Sequence, residues 1–399
     1  MDIRFTAPEI ALRNEVREFV ETHQPAHLRR KLILGQPYTK GDYVAWQQIL
    51  NAKGWGAPHW PREWGGTGWN AAQMFIFNEE LQRAPALLPD LHNTGQVGPV
   101  IIAFGTDEQK QFFLPKIRNM DWWFAQGFSE PGAGSDLASL KTTARRDANH
   151  YIVNGQKTWT SYGHQSDWMF TLVRTDSSST KHKGISYLLI DLSSPGVSIR
   201  PIVTIDGLHH INEVFFSEVK VPTVNRIGEE NRGWDYAKFL MGNSRVNVAR
   251  LGLARTRLQR AKSYATKVLR DGIPLSENRR FREKVAETEV DLKAIEITNM
   301  RIVADRMKGT GGKQDAKASI LKVRAMEVHQ AITELLLEVA GPLAMPCQVR
   351  FLEEEISHPI GPEWSASAAS TYFRHRADTI TGGTNEIQRN IISKRILGL

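Results

Sequence analysis

The order of hydrophobic patterns along the chain constrains its fold more than any single motif. Residues 1–120 carry apolar residues at helical spacing, whereas residues 121–228 hold short runs of β-branched and aromatic residues between Gly, Pro, Asn, Asp and Ser. From residue 229 the long helical spacing returns. A chain of 399 residues is also too long for one ordinary core. The sequence therefore predicts an α+β protein of three parts: a helical domain (1–120), a small barrel or sandwich (121–228) and a helical bundle (229–399).

Capping and turn residues locate some of the elements. Four polar residues stand just before helical patterns, as N-caps do: Thr6, Thr39, Asn70 and Thr106. Asn154-Gly155 lies between two strand-like runs and predicts a hairpin turn. In the bundle, helices are expected at about 232–270, 277–308 and 313–340, with a last one from Asn385. Apolar residues from Leu321 to Val339 share one helix face, which is typical of a bundle core.

Composition indicates the compartment and the class of partner. Cys347 is the only cysteine, so no disulfide can form within the chain, and a reducing cytoplasm is the expected location. The N-terminus lacks the apolar segment of a secretory signal, and no apolar run reaches the roughly 18 residues of a membrane helix. The net charge of +8 would suit a nucleotide-bearing or nucleic-acid partner, or a mixed surface. Because the basic residues are scattered and their clusters lack interleaved aromatics, the mixed surface is favoured.

Two glycine-rich and aromatic motifs are ambiguous when each is taken alone. Pro131–Ser135 resembles a phosphate loop, but no lysine follows and Leu137 occupies the place of the third glycine. It therefore indicates a flexible turn. Trp159, within Lys157–Ser161, could stack on a flavin ring, although a buried barrel aromatic is the commoner case.

Other candidate chemistries find little support. His209-His210 followed by Glu213 matches neither of the usual zinc-site spacings, so structural histidines are expected. No GxSxG segment is present, which argues against a serine hydrolase. Nothing around Cys347 favours a reactive thiol.

Several segments in this order resemble the acyl-CoA dehydrogenase family, and the resemblance covers essentially the whole chain. They are Phe128–Asp136 (FSEPGAGSD), Lys157–Ser161 (KTWTS), Val214–Pro222 with Gly228–Trp234, and Gly383–Arg389 (GTNEIQR). The family implies an N-terminal helical domain, a middle β-barrel and a C-terminal four-helix bundle, with FAD between barrel and bundle. Its members oxidise acyl-CoA thioesters to trans-2-enoyl-CoA.

The resemblance assigns expected roles to matching residues. The residues expected to face the flavin, with Trp159 packing on its ring and the next two bonding near N5, are Gln126, Phe128, Ser129, Trp159, Thr160 and Ser161. The residues expected to contact FAD from the start of the last helix, where phosphate charge is well accommodated, are Thr384 and Glu386. The residues expected on the CoA side are Ser135 and Arg245.

The catalytic base is missing from both positions where the family places it. A carboxylate must remove the thioester α-proton while hydride leaves the β-carbon for flavin N5, and hydrogen bonds to the thioester carbonyl stabilise the developing enolate. The usual glutamate position is Gly382, and the alternative, just before the bundle arginine, is Ser244. Neither glycine nor serine can act as a carboxylate, so the sequence leaves the base unassigned.

A second departure concerns the half of the FAD site that neighbouring subunits supply in homotetrameric members. The corresponding segments read Leu269–Pro274 (LRDGIP) and Glu338–Pro342 (EVAGP), and neither keeps the usual motif. These losses are similar to a bacterial subgroup built from two unlike chains, which includes the pimeloyl-CoA dehydrogenase large subunit and steroid side-chain dehydrogenases. That subgroup handles dicarboxylic or bulky acyl-CoA.

Two functions therefore follow from the sequence. The first is an FAD-dependent acyl-CoA dehydrogenase, active as a homo- or hetero-oligomer with a related chain and passing electrons to an electron-transfer flavoprotein or similar acceptor. The second is a flavin-binding member of the fold that does not dehydrogenate and has a structural, regulatory or DNA-binding role. The signature segments favour the first, and the missing glutamates motivate the second.

Overall fold

The computed structural model describes residues 5–243, 249–309 and 317–399. Its N-terminal part is helical, with α1 at Ala7–His23, α2 at Ala26–Leu34, α3 at Lys40–Ala52, α4 at Ala71–Arg83, α5 at Gly98–Phe104 and α6 at Asp107–Asn119. A π-helical segment, Leu91–Val97, runs directly into α5. Thr39, Asn70 and Thr106 each accept a hydrogen bond from the amide three residues ahead, and Thr6 precedes α1, so the predicted N-caps are confirmed.

The middle part is a half-barrel built on one seven-stranded sheet. Its strands are β1 at Phe124–Gly127, β2 at Thr143–Asp147, β3 at His150–Ser161, β4 at Trp168–Arg174, β5 at Ile185–Asp191, β6 at Val197–Val203 and β7 at His209–Pro222. The long β3 pairs antiparallel with β2 on one side and β7 on the other, while β1 pairs parallel with β4. The first residues of β3 therefore lie between two strands, whereas its end, from Gly155 to Ser161, pairs with β7 and not with β2.

The hairpin predicted at Asn154-Gly155 is wrong, because β3 runs straight through these residues. Gly155 takes φ +146, and the pairing with β7 shifts register between Val153 and Gly155. A Cβ on Gly155 would lie 2.6 Å from Thr142 Oγ1, so the glycine permits close approach of the Thr142 backbone and side chain. The chain instead reverses at Ala148-Asn149, between the paired residues Asp147 and His150.

The C-terminal part is a helical bundle. Its helices are α7 at Gly233–Asn243, α8 at Leu251–Ala265, α9 at Arg279–Met307, α10 at Lys317–Ala340, α11 at Val349–Leu352, α12 at Ala368–Arg374 and α13 at Asn385–Ile392, with a two-stranded hairpin of β8 (Leu269–Arg270) and β9 (Ile273–Pro274) after α8. The apolar stripe from Leu321 to Val339 is buried against α8 and α9, which confirms its prediction as bundle core. The single helix expected at 232–270 is wrong, since a separate helix, α8, begins at Leu251 after the left-handed Arg250, and the chain leaves it at Ala265 and turns into β8.

Candidate functional site

The two flavin signatures lie side by side at the end of the sheet. The first continues from β1 and the second is the end of β3, and the amide of Thr158 donates to the carbonyl of Ser129 at 2.9 Å. A buried ion pair joins them, with Lys157 Nζ 2.7 Å from Glu130 Oε1. Lys157 Nζ also donates to the carbonyl of Phe128 at 3.2 Å. The two signatures are thus joined by side chains 27 positions apart and form one structural unit.

The electrostatics of this pair hold the glycine-rich loop in place. Glu130 accepts hydrogen bonds from the amides of Lys141 at 2.6 Å and Thr142 at 2.9 Å. Burial opposes ionisation of Glu130, but the Lys157 ammonium and these hydrogen bonds outweigh it and lower the carboxyl pKa. Burial lowers the pKa of Lys157 to about 8, although the nearby carboxylate counteracts this. Sequence reasoning missed the pair, and its only signal was a lysine inside a strand.

A β-bulge at the end of β3 turns Trp159 outward. Lys157 pairs with Val214 and Thr160 with Asn212, so β3 carries one residue more than β7 across this interval. Trp159 takes φ +61, a left-handed conformation that non-glycine residues adopt at a cost of about 1–3 kcal/mol. Its side chain is 61% exposed, whereas Lys157 and Thr160 on either side are buried. The bulge thus presents a bare indole face at the surface between buried polar neighbours.

The polar atoms around Trp159 fit a planar, hydrogen-bonding cofactor such as the flavin of FAD. Thr160 Oγ1 is buried without a hydrogen-bond partner. Within the described ranges, the side chains of Gln126, Ser129 and Ser161 also make no hydrogen bond to the protein. Buried polar atoms are normally satisfied, so the unpaired Thr160 hydroxyl indicates a ligand surface next to the exposed indole, and the three partly buried side chains could add donors and acceptors to it.

Phe128 and Ser135 of the first signature differ in how much of each residue a ligand could reach. The Phe128 ring is buried edge-to-face against Phe170 and Tyr187, so only its backbone can face a ligand. Ser135 lies on the exposed tip of the loop. A Cβ built on Gly132 or Gly134 would meet no atom within 4 Å, so the protein interior does not require glycine there.

The C-terminal signature forms an open turn followed by a capped helix. Thr384 caps α13 by accepting from the Ile387 amide at 3.2 Å, and Asn385 Oδ1 accepts from Lys322 Nζ at 3.0 Å. Glu386 is exposed, with Arg389 Nη1 3.4 Å away. Gly382 takes φ +66, and a Cβ there would meet nothing within 4 Å. The usual position of the catalytic glutamate is therefore sterically vacant.

A polar network that the sequence did not reveal connects the bundle to the barrel. Arg374, at the end of α12, donates to Tyr162 Oη at 3.2 Å, and Tyr162 Oη donates to Tyr38 Oη at 3.1 Å. The next residue, His375, bonds Asp378 Oδ2 through Nδ1 at 2.6 Å and Arg257 Nη1 through Nε2 at 2.7 Å. Tyr162 directly follows β3. These contacts therefore hold the segment between α12 and Gly382 against the end of that strand.

The remaining predicted residues are in other places or outside the described ranges. Ser244 and Arg245 lie in 244–248, which the structure does not describe. His209 stacks on His164 with ring centroids 4.0 Å apart and bonds Asn212 at 2.8 Å, as structural histidines do.

In residues 5–243, 249–309 and 317–399, no group of three or more His, Cys, Asp or Glu side chains is placed to hold a metal ion. Over the same ranges, every helix is too short or too polar to cross a bilayer.

The two segments that depart from the family's neighbouring-subunit motif lie together in the bundle. Arg270 of β8 donates from Nη2 to the carbonyl of Glu338 at 2.6 Å. The same Nη2 lies 3.3 Å from where a Cβ of Gly341 would be, and Gly341 takes φ +53. Lys284 of α9 reaches the Glu338 carboxylate at 2.8 Å. The region is therefore joined by contacts within this chain.

Models of one protein family match three long stretches that cover most of the chain. Residues 6–121, 125–219 and 231–397 match the N-terminal, middle and C-terminal domains of acyl-CoA dehydrogenase. The acyl-CoA dehydrogenase IpdE1 of Mycobacterium tuberculosis is 38% identical over 363 residues, covering 89% of this chain and 87% of that protein. FadE26 of the same organism is 34% identical, covering 100% and 99%.

Solved structures agree with these relatives. A chain of the ChsE4-ChsE5 complex from Mycobacterium tuberculosis superimposes with a TM-score of 0.84 and 33% identity, covering 100% of this chain and 99% of that one. A chain of the Tcur3481-Tcur3483 steroid ACAD gives a TM-score of 0.84 at 28% identity, with the same coverage. The chain belongs to the acyl-CoA dehydrogenase family and is an FAD-dependent oxidoreductase that acts on the CH–CH bond of acyl-CoA thioesters.

Proposed function

We propose that this chain is one subunit of a two-chain acyl-CoA dehydrogenase that desaturates a bulky, steroid-like acyl-CoA, and that its companion subunit supplies the catalytic carboxylate. The observation that carries the proposal is Gly382, where the turn is open and no carboxylate is present. Two similar structures are named as pairs of chains, and one of them as a steroid enzyme. The companion is a related chain, and an electron-transfer flavoprotein or similar acceptor takes up the electrons.

The barrel residues bind and orient the cofactor in this proposal. The Trp159 indole packs against the flavin ring, while Thr160 and Ser161 hydrogen-bond to its polar edge. Gln126, Ser129 and the Phe128 backbone complete that surface. When bound, FAD supplies the chemistry of a hydride acceptor. The Glu130–Lys157 pair does not touch the cofactor but fixes the loop that carries these groups.

The bundle residues, together with Ser135 of the loop after β1, bind the charged parts of cofactor and substrate. Thr384 and Glu386 lie at the N-terminus of α13, where the backbone amides favour a phosphate. Ser135, on the exposed loop, and Arg245 contact the CoA arm. The α-proton leaves to a carboxylate, and since Gly382 and Ser244 cannot accept it, we assign this acceptor to the companion chain.

The test is to purify the chain alone and together with the product of a neighbouring related gene. The flavin absorbance, the mass of the assembly and the reduction of an artificial electron acceptor are then recorded with a steroid side-chain acyl-CoA. We expect flavin reduction only in the two-chain assembly. Full activity of the isolated chain would contradict the division of labour. A yellow assembly that no acyl-CoA reduces would instead support the non-dehydrogenating alternative.

A further inference from the structure

A small pocket lies between α2 of the N-terminal part and α8 and α12 of the bundle. Its volume is about 50 Å³, enough for roughly three to five water molecules or one small charged group. Arg257 and Arg260 project into it from α8. Ser367 and Thr371 line the opposite wall, and Gly35 ends α2 beside them with φ +69. A Cβ on Gly35 would lie 2.9 Å from Ser367 Cβ, so the glycine allows this wall to close.

The charge of the pocket is unbalanced. None of the residues that line it is acidic. Arg257 makes one hydrogen bond to the described part of the chain, to His375 Nε2 at 2.7 Å, and Arg260 makes one, to the carbonyl of Ile33 at 3.3 Å. A guanidinium has five N–H donors, so most donors of both groups are unused. The nearby Glu363 is already paired with Arg30 at 2.6 Å.

Burial makes this arrangement costly without a counter-charge. Burial lowers the pKa of Arg257 to about 10, and the neighbouring Arg250 and Arg260 add repulsion that Asp378 only partly offsets. Burial also lowers the pKa of Arg260. Two partly desolvated cations of the same sign destabilise a fold unless an anion joins them. A ligand that brings a negative charge would therefore be bound and would stabilise the protein.

The other walls suit the rest of such a ligand. The hydroxyls of Ser367 and Thr371, four residues apart and thus on one side of α12, form no hydrogen bond with the residues that the structure describes. Tyr264 and Trp364 stack with ring centroids 4.4 Å apart at 17°, and they give the pocket a flat aromatic edge. The combination offers guanidinium and hydroxyl donors at one side and an apolar surface at the other.

We propose that this pocket binds the carboxylate of a small molecule whose body is flat or apolar. The guanidinium of Arg257 or Arg260 matches a carboxylate in a bidentate manner, and the hydroxyls provide further donors. The carboxylate comes either from a free acid or from the far end of an acyl substrate. Since binding concerns the chain itself, it does not depend on the companion subunit or on catalysis.

The first experiment measures binding of benzoate to the isolated chain at constant ionic strength, with uncharged benzamide as the matched control. Trp364 reports binding through the difference in fluorescence between the native chain and Trp364→Phe. We expect saturable quenching by benzoate that weakens at least tenfold in Arg260→Met and Arg257→Met. Arg279→Met, which removes a guanidinium that is 91% exposed, should bind as the native chain does.

The variants Ser367→Ala and Thr371→Val test the pocket even if the arginine variants fail to fold. Each should weaken benzoate binding two- to fivefold and keep a native circular dichroism spectrum. Equal binding of benzoate and benzamide, or unchanged affinity in all the pocket variants, would overturn the proposal. In the two-chain assembly, competition between benzoate and an acyl-CoA that ends in a carboxylate, but not one that ends in a methyl group, identifies the acyl end as the ligand. Benzoate binding without competition identifies a free acid, which equally supports the pocket.

Discussion

The barrel side and the bundle side of the proposed cofactor site are built to very different degrees. On the barrel side, the Glu130–Lys157 pair is buried, two backbone amides satisfy the carboxylate, and a bulge fixes the direction of Trp159. On the bundle side, Gly382 lies in an open turn with no atom near its absent side chain. Buried contacts thus fix the cofactor-binding residues of the barrel, while position 382 carries no side chain that could act as the base.

The difference shows that cofactor binding and proton abstraction can be separated within one fold. A surface that binds a flavin needs an exposed aromatic face and unpaired polar atoms, and residues 126–161 supply both. Proton abstraction needs one carboxylate at one position, so a single substitution can abolish it without affecting cofactor binding. The following experiments would break or sharpen this contrast.

The largest effect is expected from Lys157→Met on the barrel side. The substitution leaves the Glu130 carboxylate buried without its partner, so the free energy of unfolding should fall by about 3–5 kcal/mol, with loss of bound FAD. Urea denaturation and flavin absorbance measure both effects. The double variant Glu130→Gln with Lys157→Met should recover part of the loss.

The matched control is Lys262→Met, which breaks the exposed pair with Glu289 at 2.7 Å. Exposed pairs contribute little, so its cost should stay below about 1 kcal/mol. If both lysine variants unfold at the same urea concentration, the buried pair does not hold the loop in the way described.

Acid should weaken the surroundings of His375 and His329 in the bundle before it weakens the Glu130–Lys157 pair in the barrel. Burial and repulsion from Arg257 lower the pKa of His375 to about 4 and the pKa of His329 to about 3. The hydrogen bond of His375 to Asp378 raises the pKa of His375 but does not cancel this shift. Both folded values lie below the unfolded value near 6.5, so this stability is present above pH 6.5 and is lost as pH falls toward 4. The pair in the barrel resists until lower pH, because the pKa of Glu130 is already below its usual range.

We expect protonation of His375 to remove about 2–3 kcal/mol from the free energy of unfolding between pH 6.5 and 4, and protonation of His329 to add a similar loss. Denaturant titrations across this range measure it. In His375→Gln the free energy of unfolding should fall less steeply as the pH is lowered. Substitution of the exposed His358 by Gln should leave this pH dependence unchanged. Parallel slopes for all three proteins would argue against a buried neutral histidine at 375.

Gly382→Glu tests the vacant position directly. A Cβ at 382 would meet no atom within 4 Å, but φ +66 makes any non-glycine residue cost about 1–2 kcal/mol in stability. Gly382→Gln carries the same strain without a base. Acyl-CoA should therefore bleach the flavin faster in the Glu variant only, and equal bleaching in the two variants would show that a carboxylate at 382 is not what is missing.

The smallest effect is expected from Trp159→Ala. Because the indole is 61% exposed, its removal should barely change the stability of the chain without FAD, yet it should cost about 0.5–1.5 kcal/mol of FAD affinity. Flavin fluorescence titration gives the affinity, and thermal unfolding gives the stability. Phe112→Ala, at an aromatic residue that is 51% exposed on α6, should leave FAD affinity unaltered.

The sequence predicted the local features well, because local patterns determine them. The helix, sheet, helix order and the caps at Thr39, Asn70 and Thr106 follow from residues within one or two turns. The segments that carry the candidate site were also found, since their letters are contiguous.

Contacts between distant residues were not predictable in this way. The hairpin at Asn154-Gly155 was wrong because Thr142, on a different segment, approaches Gly155 and makes it part of a strand. The Glu130–Lys157 pair and the outward turn of Trp159 depend on the register between β3 and β7. The link from Arg374 to Tyr162 joins residues 212 positions apart.

The empty space at Gly382 also has a genetic consequence. Every glycine codon becomes an aspartate or glutamate codon by a single base change, so an acidic side chain is one mutation away at this position. The Cβ of such a side chain would meet no atom within 4 Å, and the left-handed backbone would add strain. A chain that needed its own base could therefore regain one readily, and a partnership with a second gene product is one circumstance in which such a mutation brings no benefit.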